Sequence, residues 1–192
     1  MVNLKKKTKQ KRSNNRVSSI IETSKDILDF EGIKNFNTNY IAKKCNISIG
    51  SLYQYFQSKE LIMSEILNRE YTNQLKKMEN MFSEVKSLKF ENKLKAVIET
   101  SLNANKLNEY IQKSEAFFDM SKFKNKKINF EEEFLEKSKK FLLDSSQKIS
   151  PEKIEQALLV IFNSVKNATG DDEKLKEALY KLGTSFLVPQ MN

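Results

Sequence analysis

The chain has 192 residues, with 34 Lys and Arg against 25 Asp and Glu, a formal net charge of +9, a single cysteine and no histidine. Without histidine the commonest general base and metal ligand is missing, and Cys45 alone builds neither a zinc cluster nor an intramolecular disulfide, as in a reducing cytosol. No phosphate-cradling glycine motif, no membrane-length apolar run and no signal-peptide pattern is present, so the expectation is a cytoplasmic protein that is not an enzyme and needs no cofactor or metal.

Four glycines and two prolines leave little punctuation, and apolar residues recur at spacings of three and four. That pattern predicts an all-α fold. Residues 1–16 hold Lys5, Lys6, Lys7, Lys9, Lys11, Arg12 and Arg16 and no acid. They read as a disordered basic arm suited to DNA phosphates or a minor groove; a solubilising tail, or the lysine bias of an AT-rich genome, is the alternative. Val17, Ile20, Ile21, Ser24, Ile27 and Leu28 then form a helical stripe, predicting a first helix over 15–30 that stops at Gly32. Ile33 and Phe36 follow as core plugs.

Residues 38–59 carry the densest signal. Thr38 is a candidate cap, and Ile41, Ala42 and Cys45 give a narrow apolar face over 38–45. Asn46 tolerates a left-handed turn, and Ser48 can cap a further helix over 48–56 with Leu52 and Phe56 turned inward. Ile49, Gly50, Ser51, Tyr53, Gln54 and Tyr55 are left outward. This reads as a helix-turn-helix. Gly50 costs up to about 1 kcal/mol inside a helix, which suggests close approach of the backbone to DNA. A glycine in a fraying first turn is the plainer explanation.

The run Thr38-x-x-Ile41-Ala42, then Ile47-Ser48-x-Gly50-x-Leu52-Tyr53-x-Tyr55-Phe56-x-x-Lys59-x-Leu61, resembles the DNA-binding signature of the TetR family of transcriptional regulators. The likeness covers about a quarter of the chain, and departs from the family where Cys45 and Asn46 replace the usual alanine and glycine. It implies that Lys59 touches the DNA backbone; Thr38, Ser48, Tyr53 and Tyr55 are expected to hold phosphates beside it, and the charge of the arm adds Lys11 and Arg12. Ser51 and Gln54 would read bases, Ile49 would pack on a thymine methyl or sugar, and Gly50 would let the backbone come close. The expected organisation is an arm over 1–14, a DNA-binding domain over 15–60 and a helical ligand-binding and dimerisation domain over 61–192, about nine helices in all.

Ser58 predicts the start of a fourth helix, marked by Leu61, Ile62, Ile66, Leu75, Met78, Met81 and Phe82 and reaching about residue 86. It is long enough to connect two domains and pass a tilt between them, or simply to pack. From Phe90 the pattern is an antiparallel bundle. Leu94, Val97, Ile98, Ser101 and Leu102 give one stripe, and Phe130, Phe134, Leu135, Phe141 and Leu142 another after a polar break at 124–129. Ser150-Pro151-Glu152 opens a further helix, and Asp171 or Asp172 the last. Glu131-Glu132-Glu133 reads as a solvated helix start rather than an acid–base site.

By resemblance, the last two helices pair with a second copy, and Leu158, Ile161, Phe162, Val165, Leu175, Leu179, Leu182 and Phe186 are the candidate interface. The wide apolar arc from Leu158 to Phe162 also fits a central core helix. A two-fold dimer implies a near-palindromic double-stranded DNA operator. A small-molecule effector of unknown identity would sit among Tyr110, Glu115, Phe117, Phe118, Asp119, Met120, Phe123 and Phe134, although aromatic stripes of this kind are more often core. The expected function is a dimeric repressor released by that effector. The alternatives are the same scaffold as a DNA-anchored protein-interaction factor and a non-specific DNA-packaging protein.

Overall fold

The computed structural model describes residues 2–114, 118, 124–144, 149–166 and 173–187, with side chains described over 12–104, at 118 and from 129 onward within those ranges. Every regular element among them is helical: α1 (Val2–Asp26), α2 (Thr38–Lys44), α3 (Ile49–Tyr53), α4 (Lys59–Glu84), α5 (Phe90–Ser114), α6 (Lys124–Leu143), α7 (Pro151–Lys166) and α8 (Glu173–Leu187). They form two compact units, Met1–Arg69 and Glu70–Asn192.

In the first unit α1 starts at Val2, well ahead of the expected start at residue 15. The segment assigned to a disordered arm is therefore helical: it contains no glycine or proline, and lysine is a good helix former when its charges point to solvent. Ile20, Ile21, Ser24 and Ile27 are buried as the stripe predicts, with the Ser24 hydroxyl donating back to the Ile20 carbonyl at 2.7 Å. α1 then loosens into a π-helical turn, Ile27–Glu31, and stops at Gly32, whose φ of 83° is the conformation that favours glycine. A 3-10 turn, Ile33–Asn35, seats Phe36 in the core.

The cap of α2 is Asn37 rather than Thr38. The Asn37 side-chain oxygen accepts from the Tyr40 N–H at 2.9 Å, so Thr38 is the first helical residue. Both residue types cap well, and the hydrogen bond shifts the expected boundary by one. Replacing Asn37 by alanine is expected to destabilise the protein by about 1 kcal/mol, read as a lower midpoint in thermal unfolding.

Packed on this frame, Ile41, Ala42, Leu52 and Phe56 join Ile20, Ile21 and Ile27 in one core. The domain boundary expected after residue 60 moves later. Ile62, Met63, Ile66 and Leu67, on the first turns of α4, are buried in the same unit. A three-helix unit of that size has too little interior of its own, so it takes in the next helix.

The second unit holds the rest of α4 with α5 to α8. α5 packs against α6, α7 and α8, and α7 against both α6 and α8. α4 meets α6 through stacked rings, Tyr71 on Phe130 at 4.7 Å and Phe82 on Phe141 at 4.0 Å. Phe134 lies between Phe130 (5.9 Å) and Phe162 (5.7 Å), and Leu94, Val97, Leu142, Ile154, Leu158 and Ile161 complete the interior. The polar break expected at 124–129 is the opening of α6, since its lysines and asparagines end no helix without a glycine or proline. α7 starts as expected, with Ser150 capping and Pro151 in the first turn.

Candidate nucleic-acid interface

The turn between α2 and α3 is closed by the backbone. The Ile47 N–H donates to the Ala42 carbonyl at 3.0 Å, and the Asn46 N–H to the Lys43 carbonyl at 3.1 Å. Asn46 adopts a φ of 53°, the left-handed step that asparagine tolerates better than most residues. Ser48 caps α3, its hydroxyl accepting from the Ser51 N–H at 3.1 Å and lying 2.8 Å from the Ser51 hydroxyl. With Leu52 fully buried, α3 is anchored by one edge and turns the opposite face outward.

That outward face carries most of the residues singled out from the sequence. Ser48, Ile49, Gly50, Tyr53 and Gln54 are exposed, and Ser51 and Tyr55 half-buried. An ideal Cβ built on Gly50 would meet only the Ser48 hydroxyl, at 3.9 Å, so nothing inside the chain requires a glycine there. The Thr38 and Tyr53 hydroxyls lie 3.3 Å apart, tying the start of α2 to the end of α3. Lys59 opens α4 beneath the Ser58 cap, whose hydroxyl accepts from the Leu61 N–H at 3.4 Å. Arg12 is exposed on α1, and the Lys11 side chain lies outside the described residues.

Behind this face a small polar cluster fixes α2. The Tyr40 hydroxyl donates to Glu31 at 2.6 Å, the Lys44 ammonium pairs with the same carboxylate at 2.8 Å, and that ammonium sits 5.3 Å over the Tyr40 ring. The Lys44 and Tyr40 contacts hold the Glu31 carboxyl below the usual range. Cys45 is a free thiol whose pKa is pushed up by burial, against a Thr23 hydrogen bond and the Arg16 charge. It is a packing residue rather than a nucleophile.

Sequence reasoning passed over Ser13, Asn15 and Ser19, which sit among the basic residues Arg12 and Arg16. Arg12, Asn15, Arg16 and Ser19, with Ser13, line an open cleft of about 560 Å³ whose other wall is Tyr55. The signal was present in the spacing of four polar residues at i, i+3, i+4 and i+7, one face of α1.

The second unit exposes a different kind of surface. Leu159 (44% exposed), Val160 (49%), Leu182 (47%) and Phe186 (44%) lie on α7 and α8. Gln156, Ala157, Val160, Ile161, Leu182, Gly183 and Phe186 line an almost wholly apolar groove of about 290 Å³ there. Of the residues expected at a dimer interface, Leu182 and Phe186 are on this surface, and Phe162 and Leu175 are half-buried. Leu158, Ile161, Val165 and Leu179 are buried within their own unit. Leu159 and Val160 are the outward neighbours that the apolar arc concealed.

Of the expected effector residues, Phe118 and Phe134 are buried. Glu115, Phe117, Asp119, Met120 and Phe123 lie outside the described residues, as does the Tyr110 side chain. Near Phe134, a space of only about 10 Å³ is bordered by Ser101, Phe130, Glu131 and Phe162. Tyr71 is nine-tenths buried beside it, and burial, with the Glu131 charge, keeps its phenol protonated well above the ordinary range. Among the described residues no helix is long and apolar enough to cross a membrane.

Residues 20–66 match the profile of bacterial regulatory proteins, tetR family. No curated protein matches the chain. Several solved structures share its fold. The fatty acid degradation regulator FadR from Bacillus halodurans has a TM-score of 0.61 at 15% identity, over 88% of this chain and 94% of its own. A TetR transcription regulator from Haloarcula marismortui has 0.63 at 10%, over 93% and 100%. A transcriptional regulator of the same broad type from Aquifex aeolicus has 0.56 at 24%, over 86% and 96%.

Proposed function

We propose, from the match of residues 20–66 to the profile of the tetR family of bacterial regulatory proteins, that the chain is a sequence-specific, dimeric transcriptional repressor acting in the cytoplasm. The observation that carries the reading is the α3 face: one edge locked by Leu52, and Ser48, Gly50, Tyr53 and Gln54 turned out together. A short helix presented in this way suits the major groove. Gln54 reads a base, since its amide can bond adenine at two points, while Thr38, Tyr53 and Lys59 hold phosphates on either side.

Two copies join through the exposed apolar face of α7 and α8, and the operator is then a near-palindrome whose half-sites mirror the protein's two-fold axis. A small molecule bound in the second unit, with Phe118 and Phe134 among its contacts, releases the operator. A screen for compounds that raise the melting temperature tests that step, because a ligand of the folded state alone stabilises it.

The direct test is fluorescence anisotropy on DNA flanking the protein's own gene, against a scrambled duplex, over a salt series. A preference of roughly 10³-fold or more is expected. Equal affinity for both duplexes, vanishing steeply with salt, would reduce the protein to a non-specific polycation. Within that assay Gln54→Ala should lose about 1–3 kcal/mol of discrimination at one base pair, whereas Lys59→Ala should weaken all sequences alike. Equal, uniform losses in both variants would refute this division of roles.

A further inference from the structure

We propose that one face of α1, together with Tyr55 beyond the end of α3, is a seat for a DNA backbone phosphate beside the groove that α3 reads. The proposal rests on the DNA-binding reading above and adds Asn15 and Ser19, with one shared helical face for Arg12 and Arg16, to the phosphate contact already expected of Tyr55.

The face is built from Arg12, Asn15, Arg16 and Ser19, and Tyr55 closes it from the helix-turn-helix. No carboxylate lines the cleft, and neither arginine makes an ion pair among the described residues. Two guanidinium groups one helical turn apart repel each other by a few tenths of a kcal/mol, so the isolated helix gains nothing from the pair. An anion lying between them reverses that sign. Arginine forks match phosphate oxygens two at a time, and the Asn15 amide with the Ser19 and Tyr55 hydroxyls adds neutral donors of the kind that hold phosphates in register.

The shape selects the source of the phosphate. The cleft is open to solvent, so a small free anion gains little desolvated contact there. A phosphate already held in place by a bound duplex needs no enclosure. Tyr55 lies immediately after Gln54, the C-terminal cap of α3, so the seat continues the surface that faces the groove.

The salt dependence of binding by the full chain separates this from other roles. The Arg12→Ala/Arg16→Ala double variant is expected to bind both the flanking duplex and the scrambled one more weakly. Its plot of log affinity against log salt should be shallower by about 1, close to one unit for the single phosphate no longer neutralised. Arg12→Lys/Arg16→Lys should keep the slope, and Gln54→Ala should keep it while losing preference. A double alanine variant that retains the wild-type slope on DNA that the wild type binds would overturn the seat. So would inorganic phosphate raising the wild-type melting temperature, and not that of the double alanine variant, with the DNA slope unchanged; the cleft would then hold a free anion. A wild type that shows no preference for the flanking DNA is a separate failure, that of the regulator reading itself.

Discussion

Replacing Phe186 by aspartate is expected to break the dimer proposed above into monomers in size-exclusion chromatography or sedimentation at micromolar concentration. Phe186 is 44% exposed in the single chain and forms the apolar groove with Leu182, Val160 and Ala157. A carboxylate in the middle of such a surface, closed over by its own symmetry mate, would be desolvated without a partner. Burying an unpaired charge costs several kcal/mol, and about 4 kcal/mol corresponds to roughly a thousandfold weaker dimer. In the separated chain the same carboxylate faces water, so the far-ultraviolet helical signal should persist. Binding to a two-half-site operator should fall towards that of one half-site, and binding to an isolated half-site should change little. An unaltered dimer would move the interface away from α7 and α8.

This prediction uses residues that the sequence offered only ambiguously, and the reason is geometric. Helical periodicity identifies Leu158, Leu159, Val160, Ile161 and Phe162 as an arc too wide for one contact, but it cannot say which edge faces its own bundle. Packing decides: Leu158 and Ile161 turn in, and Leu159 and Val160 turn out. Signals that depend on a few adjacent atoms were legible instead. Gly32 ends the first helical segment at positive φ, Asn46 makes the left-handed turn, and Ser58 and Ser150 cap the helices they precede. Asn37 and Thr38 compete for one capping position, and only the hydrogen bond to Tyr40 separates them.

Charge misled at the N-terminus. The density of lysines before Arg12 argued for a solvated arm, yet charge opposes a helix only weakly when each side chain reaches water, and no residue there breaks one. The same misreading hid part of the α1 cleft, because Arg12 and Ser13 join the face of Asn15, Arg16 and Ser19 only once the residues before 15 are helical too. The boundary expected after residue 60 falls short of the division after Arg69 for a related reason. Sequence marks where α4 starts, but not how many of its turns the small first unit needs for its core.

Gly50→Ala should move folding and binding in opposite directions, which is what makes it informative. In the free chain the added methyl meets only the Ser48 hydroxyl, at an ordinary van der Waals distance of 3.9 Å, and the position is exposed. Alanine is a better helix former than glycine by up to about 1 kcal/mol, less in a first turn, so the melting temperature should hold or rise slightly. At the DNA the same methyl would stand between the helix backbone and the groove wall. Ser48, Ser51 and Gln54 flank it, and a helix lifted by the width of a methyl group lengthens their hydrogen bonds to base and phosphate together. A loss of at least about tenfold in operator affinity, near 1.4 kcal/mol, is therefore expected with no loss of stability. Alanine with undiminished operator affinity would leave Gly50 as a tolerated residue in the first turn of a short helix, and the closest approach of α3 to DNA would have to lie elsewhere on its face.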